Sequence, residues 1–261
     1  MPRRMPVLFI GHGNPMHALH DNAYTRALAR LGGEIGKPRA VVCVSAHWLT
    51  EGTWATHMPA PKTIHDFYGF PEELFAVRYP APGSPETAEL VREAVGDPEV
   101  QLDDELWGLD HGAWAVLRHM YPKADVPTIQ LSVYLEQPGA YHLAVGRRLA
   151  ALRRRGALIV GSGNIVHNLP KMDWSGERAP YDWAEAFDAF VTSATESGDA
   201  DALAEDPRKM PGGALSVPTP DHWYPYLYAL GAADGDAPAW EHEGLENASI
   251  SMRCASFGLR G

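Results

Sequence analysis

The chain has 261 residues, 45% hydrophobic and 21% charged, enough apolar material for one large α/β domain with a sizeable core. A formal net charge of -11 argues against a nucleic-acid partner, whose binding surface needs clustered Lys and Arg. The N-terminus MPRRMPVLFI is basic, but its apolar run before Gly11 is too short for a signal-peptide core or a membrane span, so a soluble, cytoplasmic chain with no membrane partner is expected.

Residues 7–10 read as the first strand, and GHGNPM is its exit loop, with two glycines flanking His12 so that a ligand can approach closely. Residues 22–32 have helical spacing, with Tyr24, Ala27, Leu28 and Leu31 on one face and Asp21 as candidate cap. Residues 40–48, AVVCVSAHW, form a continuous apolar run that ends abruptly in His47. Such a run predicts a strand buried on both faces and completes a βαβ unit.

Residues 49–83 are rich in Pro, Gly and aromatics and read as a substrate-covering insertion, with strand character at 54–57 and 75–79. A helix over 85–95 follows, with Ser84 as its cap and proline in its first turn. After ELWGLDH comes a short helix over 112–120, then a buried strand over 126–133 and a long amphipathic helix over 140–155 ending at Gly156. Arg147, Arg148, Arg153, Arg154 and Arg155 on that helix read as a solvated face.

A strand over 157–160 leads into GSGNIVHNL; a helix over 181–197 and a short helix and loop over 201–210 follow. Residues 218–231 read as a loop entering a helix, with Asp221 near its start, and 249–257 as the last strand. No repeat, low-complexity tract or linker divides the chain. The expected architecture is one α/β domain over 1–261, with a central, largely parallel or mixed sheet flanked by helices.

Cys43 and Cys254 both lie in apolar runs and read as buried thiols. The chain carries 12 histidines; His17, His20, His57, His119, His142 and His242 read as ordinary core or surface imidazoles. His12, His47 and His167 differ because each stands at a strand exit, where open α/β sheets bind ligands. His222, at the start of a helix after a Pro-rich loop, joins them. No HExxH or CxxC spacing is present, so the signal is long-range, and imidazoles suit Fe(II) or Zn(II) at the carboxyl ends of the strands. The Gly161–Asn164 run lacks the GK[ST] ending of a phosphate loop, and Ser45 has no GxSxG elbow. Asp110-His111-Gly112 reads either as a tight turn or as a polar substrate contact.

Seven ordered motifs, GHGNPM, SAHW, TIHDFYGFP, RYPAPGSP, WGLDHGAW, GSGNIVHNL and PTPDHWYPYLYALG, resemble the class III extradiol ring-cleavage dioxygenases of the LigB superfamily, in the 4,5-DOPA-extradiol-dioxygenase-like branch. The resemblance implies metal ligands at His12, His47 and His222, an acid–base catalyst at His167, a substrate- or oxygen-contacting His111, and His65 on the substrate side. It further implies Fe(II) as cofactor, with Zn(II) acceptable to the same all-histidine site, a small catecholic substrate with O2 as partners, and a monomer. Trp48, Phe67, Tyr68, Trp223 and Tyr224 are candidate walls for a planar substrate, with core packing the alternative for each. Arg78 is the exposed-loop candidate for a charged substrate group. Two rival functions stay open from the sequence: a zinc hydrolase on the same scaffold, and a non-enzymatic protein with a vestigial metal site.

Overall fold

A computed structural model describes residues 4–97 and 99–260; residues 1–3 of the basic opening, residue 98 and the final residue of the expected 1–261 domain lie outside the described residues. Eight strands, numbered among themselves, make one sheet: β1 Val7–Gly11, β2 Ala40–Leu49, β3 Thr53–Thr56, β4 Val100–Asp103, β5 Thr128–Val133, β6 Ala157–Gly163, β7 Pro238–His242 and β8 Cys254–Phe257. Their spatial order is β4-β3-β5-β2-β6-β1-β8-β7. Strands β5, β2, β6 and β1 run parallel. The flanks are mixed: β3 is antiparallel to β5 and parallel to β4, while β8 is antiparallel to both β1 and β7.

The central strands read as unbroken apolar runs because both their faces are covered. Val7, Phe9, Val42 and Val44 enter one core, and their neighbours Leu8, Ile10, Val41 and Cys43 enter the other. Six longer helices supply the covers: α1 Ala23–Ile35, α2 Pro85–Val95, α3 His111–Met120, α4 Gly139–Arg153, α5 Asp182–Glu196 and α6 Tyr224–Ala233. Leu28 of α1 and Trp114 of α3 close one face; Val91 of α2, Leu149 of α4, Phe187 of α5 and Leu227 of α6 close the other. Among the described residues, no helix is long and apolar enough to cross a membrane.

Several expectations are corrected. The cap of α1 is Asn22, not Asp21: its side chain accepts from the Thr25 N–H while the Thr25 hydroxyl accepts from the Asn22 N–H, a reciprocal box. Asp21 pairs with Arg26 on the surface instead. Residues 75–79 are not a strand. Pro71-Glu72-Glu73 starts a helical turn, Glu72–Phe75, and the Tyr79 N–H is taken by the Thr63 hydroxyl rather than by a sheet neighbour. The last strand is broken at Met252-Arg253 into Ile250–Ser251, paired with Leu245–Glu246, and β8. The Arg253 side chain is drawn to Asp188 of α5 at this break. Strands β4 and β7 went unpredicted because they lie at the two edges of the sheet, where part of the strand faces solvent and the apolar run is short.

Arg153 is likewise not on a solvated face. It is 0% exposed and donates to the carbonyls of Met5, Ala232 and Ala233, with Nη2 2.5 Å from Asp236. The cation thereby closes the C-terminus of α6, where helix carbonyls lack intrahelical donors. Arg147 does stay exposed, paired with Asp201.

His142 of α4 is fully buried, with its ring stacked on Tyr224 at 3.8 Å between centroids. Burial pushes its imidazole down to about 3, against only a weak opposing contact to the Gln137 carbonyl. An unfolded histidine titrates near 6.5, so below that pH the unfolded chain binds the extra proton and stability falls until pH reaches the folded value. The expected loss from this one ring is about 2 kcal/mol between pH 7 and pH 5. Urea unfolding of wild type and His142→Phe at both pH values checks this: the variant should lose less stability by that amount, and parallel losses would refute it.

Candidate active site

Four chain segments deliver the histidines to one place. His12 leaves β1, and its N–H donates to the Gly163 carbonyl at 3.0 Å. His47 lies where β2 departs from its ladder with β5, the register shifting between Val44 and Leu49. His111 opens α3, which Asp110 caps through the Ala113 N–H. His222 sits immediately before Trp223, the cap residue of α6. Gly161 and Gly163 of β6 let that segment approach: a Cβ at these positions would stand 2.1 Å from the Pro225 carbonyl and 2.2 Å from that of His222. The GSG triplet is thus a packing notch. Ser162 between them points into the site.

His12, His47 and His222 each offer a ring nitrogen, all within 4.8 Å of one another. The His12 and His47 Nε2 atoms are 3.1 Å apart. Ser162 donates its hydroxyl proton to the Gly112 carbonyl at 2.6 Å, so it accepts from His12 Nδ1 at 3.0 Å. His47 Nδ1 faces the Asp66 carboxylate at 3.3 Å, and His222 Nδ1 donates to Asp221. His12 and His222 carry their Nδ1 protons outward, and a proton on His47 Nδ1, beside the Asp66 carboxylate, leaves all three Nε2 lone pairs bare. Two bare lone pairs this close repel unless a cation lies between them, and the spacing suits two nitrogens at roughly 2.1 Å from one ion.

Two other groupings, His47–Asp66–His111 and His167–Asp221–His222, also have metal-like spacing. In both, however, the carboxylate is already bonded to a protonated ring nitrogen. That is the arrangement of a carboxylate standing behind a histidine ligand, where it fixes the tautomer, rather than of a ligand itself. The three-histidine set is therefore the one that fits a metal.

Burial is the main cause that holds His12 and His47 well below the ordinary imidazole range, with the neighbouring histidines adding to it. Neutral imidazole is the form that ligates. Burial raises Asp221, but the hydrogen bond from His222, together with the His222 charge, a bond from Thr219 and the nearby His167, outweighs it and holds the carboxyl at about 2. In the same way burial of Asp66 is outweighed by the side-chain and backbone hydrogen bonds and the charge of His111 acting together.

His167 stacks on His222, the ring centroids 3.5 Å apart and the planes within 8°. Its backbone N–H is fixed by the Ser216 carbonyl at 2.9 Å. Burial first, then His222, pushes it well below the ordinary value despite Asp221 nearby. At neutral pH it is an unprotonated base at the edge of the three-histidine set.

The aromatic walls divide. Phe67 meets the edge of His111, the centroids 5.6 Å apart. Trp48 stacks on Trp107 at 5.7 Å and walls a separate apolar cleft with Trp54 and Leu106. Tyr68 is 92% exposed. Trp223 is fully buried against Phe187 and Tyr226 and is core. His65 turns away from the cluster: its Nε2 donates to the Val77 carbonyl, and its ring packs between Phe67 and Trp114. Arg78 is tied to the Phe75 and Val77 carbonyls.

Asp110 is a helix cap rather than a substrate contact, since Ser45, Gln130 and Trp107 donate to its fully buried carboxylate. Burial and the nearby Asp66 charge raise it. Asp66, Ser162 and Asp221, whose side chains bond the ring nitrogens of His111, His12 and His222, are what histidine counting missed. Of these only Asp221 carried a local signal, standing directly before the histidine it bonds, His222.

A family profile described as the catalytic LigB subunit of aromatic ring-opening dioxygenase matches residues 22–258. The chain belongs to this family. His12 lies ahead of the matched span, so its place in the site rests on the geometry above. A relative from Escherichia coli (strain K12), named 4,5-DOPA dioxygenase extradiol, is 48% identical, covering 98% of this chain and 95% of its own. One of the same name from Beta vulgaris is 38% identical over 89% of this chain and 88% of its own. A solved structure of an uncharacterized protein from Escherichia coli K12 superposes with a TM-score of 0.81 at 42% identity, over 97% of this chain and all of that one (100%). This LigB-family chain is accordingly a ring-cleaving extradiol dioxygenase with a metal-capable histidine site, and the hydrolase and vestigial-site alternatives are not favoured.

Proposed function

We propose that the chain opens the ring of a DOPA-like catechol next to its diol, incorporating both atoms of O2 to give a semialdehyde, with Fe(II) held by His12, His47 and His222. The convergence of three imidazole nitrogens on one point carries this proposal. When bound, the metal would supply a Lewis acid that lowers the hydroxyl pKa of the catechol and an open position for the second reactant. Zn(II) would enter the same neutral donor set, so zinc in a purified sample is compatible with an iron enzyme.

His167, neutral and fixed by its backbone bond, takes the catechol proton that metal binding alone does not remove, and returns it during cleavage. His111, oriented by Asp66, presents its Nε2 as a hydrogen-bond acceptor beside His12 and His47. Phe67 covers the planar ring. The names of the Escherichia coli and Beta vulgaris relatives support the DOPA class. We further place the activity in a single cytoplasmic, monomeric domain, consistent with two buried free thiols, Cys43 and Cys254.

Calorimetric titration of metal-stripped protein with Zn(II) tests the ligand set without needing turnover. Wild type should take up one ion per chain, and His12→Ala, His47→Ala and His222→Ala should each weaken it by about 100-fold or more while His167→Ala does not. Undiminished binding in all three variants would discard the assignment.

A further inference from the structure

We propose that Asp66 is the positioning residue of this site: one carboxylate sets the tautomers of both His47 and His111, turning their Nε2 atoms inward together. The assignment of His47 as a metal ligand rests on the function proposed above, but the placement of Asp66 does not.

Every polar atom of the side chain is committed. Oδ1 accepts the backbone N–H of His111 at 2.9 Å, and Oδ2 accepts His111 Nδ1–H at 2.9 Å. The same Oδ2 lies 3.3 Å from His47 Nδ1. The two imidazoles are themselves in contact, their centroids 4.0 Å apart. An anion shared by two ring nitrogens favours a proton on both, because a bare Nδ1 would set a lone pair against a carboxylate oxygen. Each neutral ring has one proton to place. Holding it at Nδ1 leaves both Nε2 atoms as acceptors, His47 toward His12 and His111 toward the space beside it.

The loop carrying Asp66 is anchored on both sides, so this placement is built in. Before it, Lys62–Thr63 pairs with Gly108–Leu109, the Ile64 N–H donates to the Leu109 carbonyl at 2.7 Å, and Trp114 Nε1 donates to the Ile64 carbonyl at 2.7 Å. After it, Phe67 packs on Phe70 and Phe75. His65, facing the other way, bonds the Val77 carbonyl at 3.1 Å. The insertion thus reaches the chemistry through Asp66 and Phe67.

An asparagine at this position is informative in either orientation of its amide. With NH2 at the Oδ2 place it offers protons to both Nδ1 atoms and drives the rings toward Nε2–H. With NH2 at the Oδ1 place it opposes the His111 N–H, donor against donor. A purely structural role, as an extra cap on α3, would lose stability without moving tautomers.

The test is 15N–1H correlation spectroscopy of the imidazoles in the metal-free full chain at about pH 8, above the ordinary histidine range. His111 should be Nδ1–H in wild type with or without metal, and His47 should be Nδ1–H once Zn(II) lies between its Nε2 and that of His12. Asp66→Asn should shift His111 to Nε2–H or to a mixture, weaken Zn(II) by about 10- to 100-fold, and lower kcat more than it raises KM. Asp66→Glu should restore the wild-type tautomers in part. A wild-type His111 already protonated at Nε2, or a His111 tautomer unmoved by Asp66→Asn, would overturn the proposal, and the wild-type spectrum decides even if the variant does not fold. Wild-type tautomers as expected in a chain that binds no metal would instead remove the ligand assignment and leave Asp66 in place.

Discussion

His167→Ala is expected to keep its metal and to lose turnover by about 100- to 10,000-fold, the range over which a positioned general acid–base acts. The reason lies in what the ring is free to do. His12 and His222 have Nδ1 bonded to a fixed partner and His47 has Nδ1 beside the Asp66 carboxylate, and their remaining nitrogens converge. His167 is held by its backbone and by a ring stack, with burial keeping it unprotonated. A neutral base beside a bound catechol accepts one proton and can later return it. Steady-state kinetics on protein of measured metal content separates the outcomes. Metal retained with turnover collapsed fits the role; metal lost with the ring would make His167 a ligand; unchanged turnover would remove it from the chemistry.

Arg153→Met should cost about 3–5 kcal/mol of folding stability, the range seen when one partner of a buried charge pair is removed. The loss has three parts: the Met5 carbonyl on the segment entering β1, the last carbonyls of α6, and one of the two arginines that pair with Asp236, leaving it Arg4 alone. None of these touches the histidine cluster, so activity per folded molecule should hold. Urea denaturation gives the stability and a metal titration of the folded fraction gives the site. A change within about 0.5 kcal/mol, the size of an ordinary surface substitution, would mean that the buried cation is dispensable.

Much of the site was legible because buried parallel strands announce both themselves and their ends. AVVCVSAHW is apolar on both faces until it reaches the loop, so His47 stands out, and PVLFIGHG marks His12 in the same way. What stayed hidden was relational. Asp66 acts on a ring 45 residues away, and no local period displays that pairing. Its neighbour His65, which the resemblance puts on the substrate side, bonds the Val77 carbonyl instead. Arg153 looked like part of a solvated basic run because its partners are mostly backbone carbonyls from distant segments, which no pattern of side chains reveals. The edge strands β4 and β7 escaped for a related reason: short, half-exposed strands borrow their stability from the ladder beside them. The GSG triplet resembled a ligand loop, yet its glycines are needed so that the backbone bearing His222 can lie against β6.

The most direct test is oxygen uptake by metal-stripped protein reloaded anaerobically with Fe(II) and then given DOPA. Oxygen consumed mole for mole with catechol, a visible-absorbing semialdehyde product and an inactive zinc-loaded control are the predicted result. No uptake with DOPA or with other simple catechols, at full metal occupancy, would contradict the proposed function.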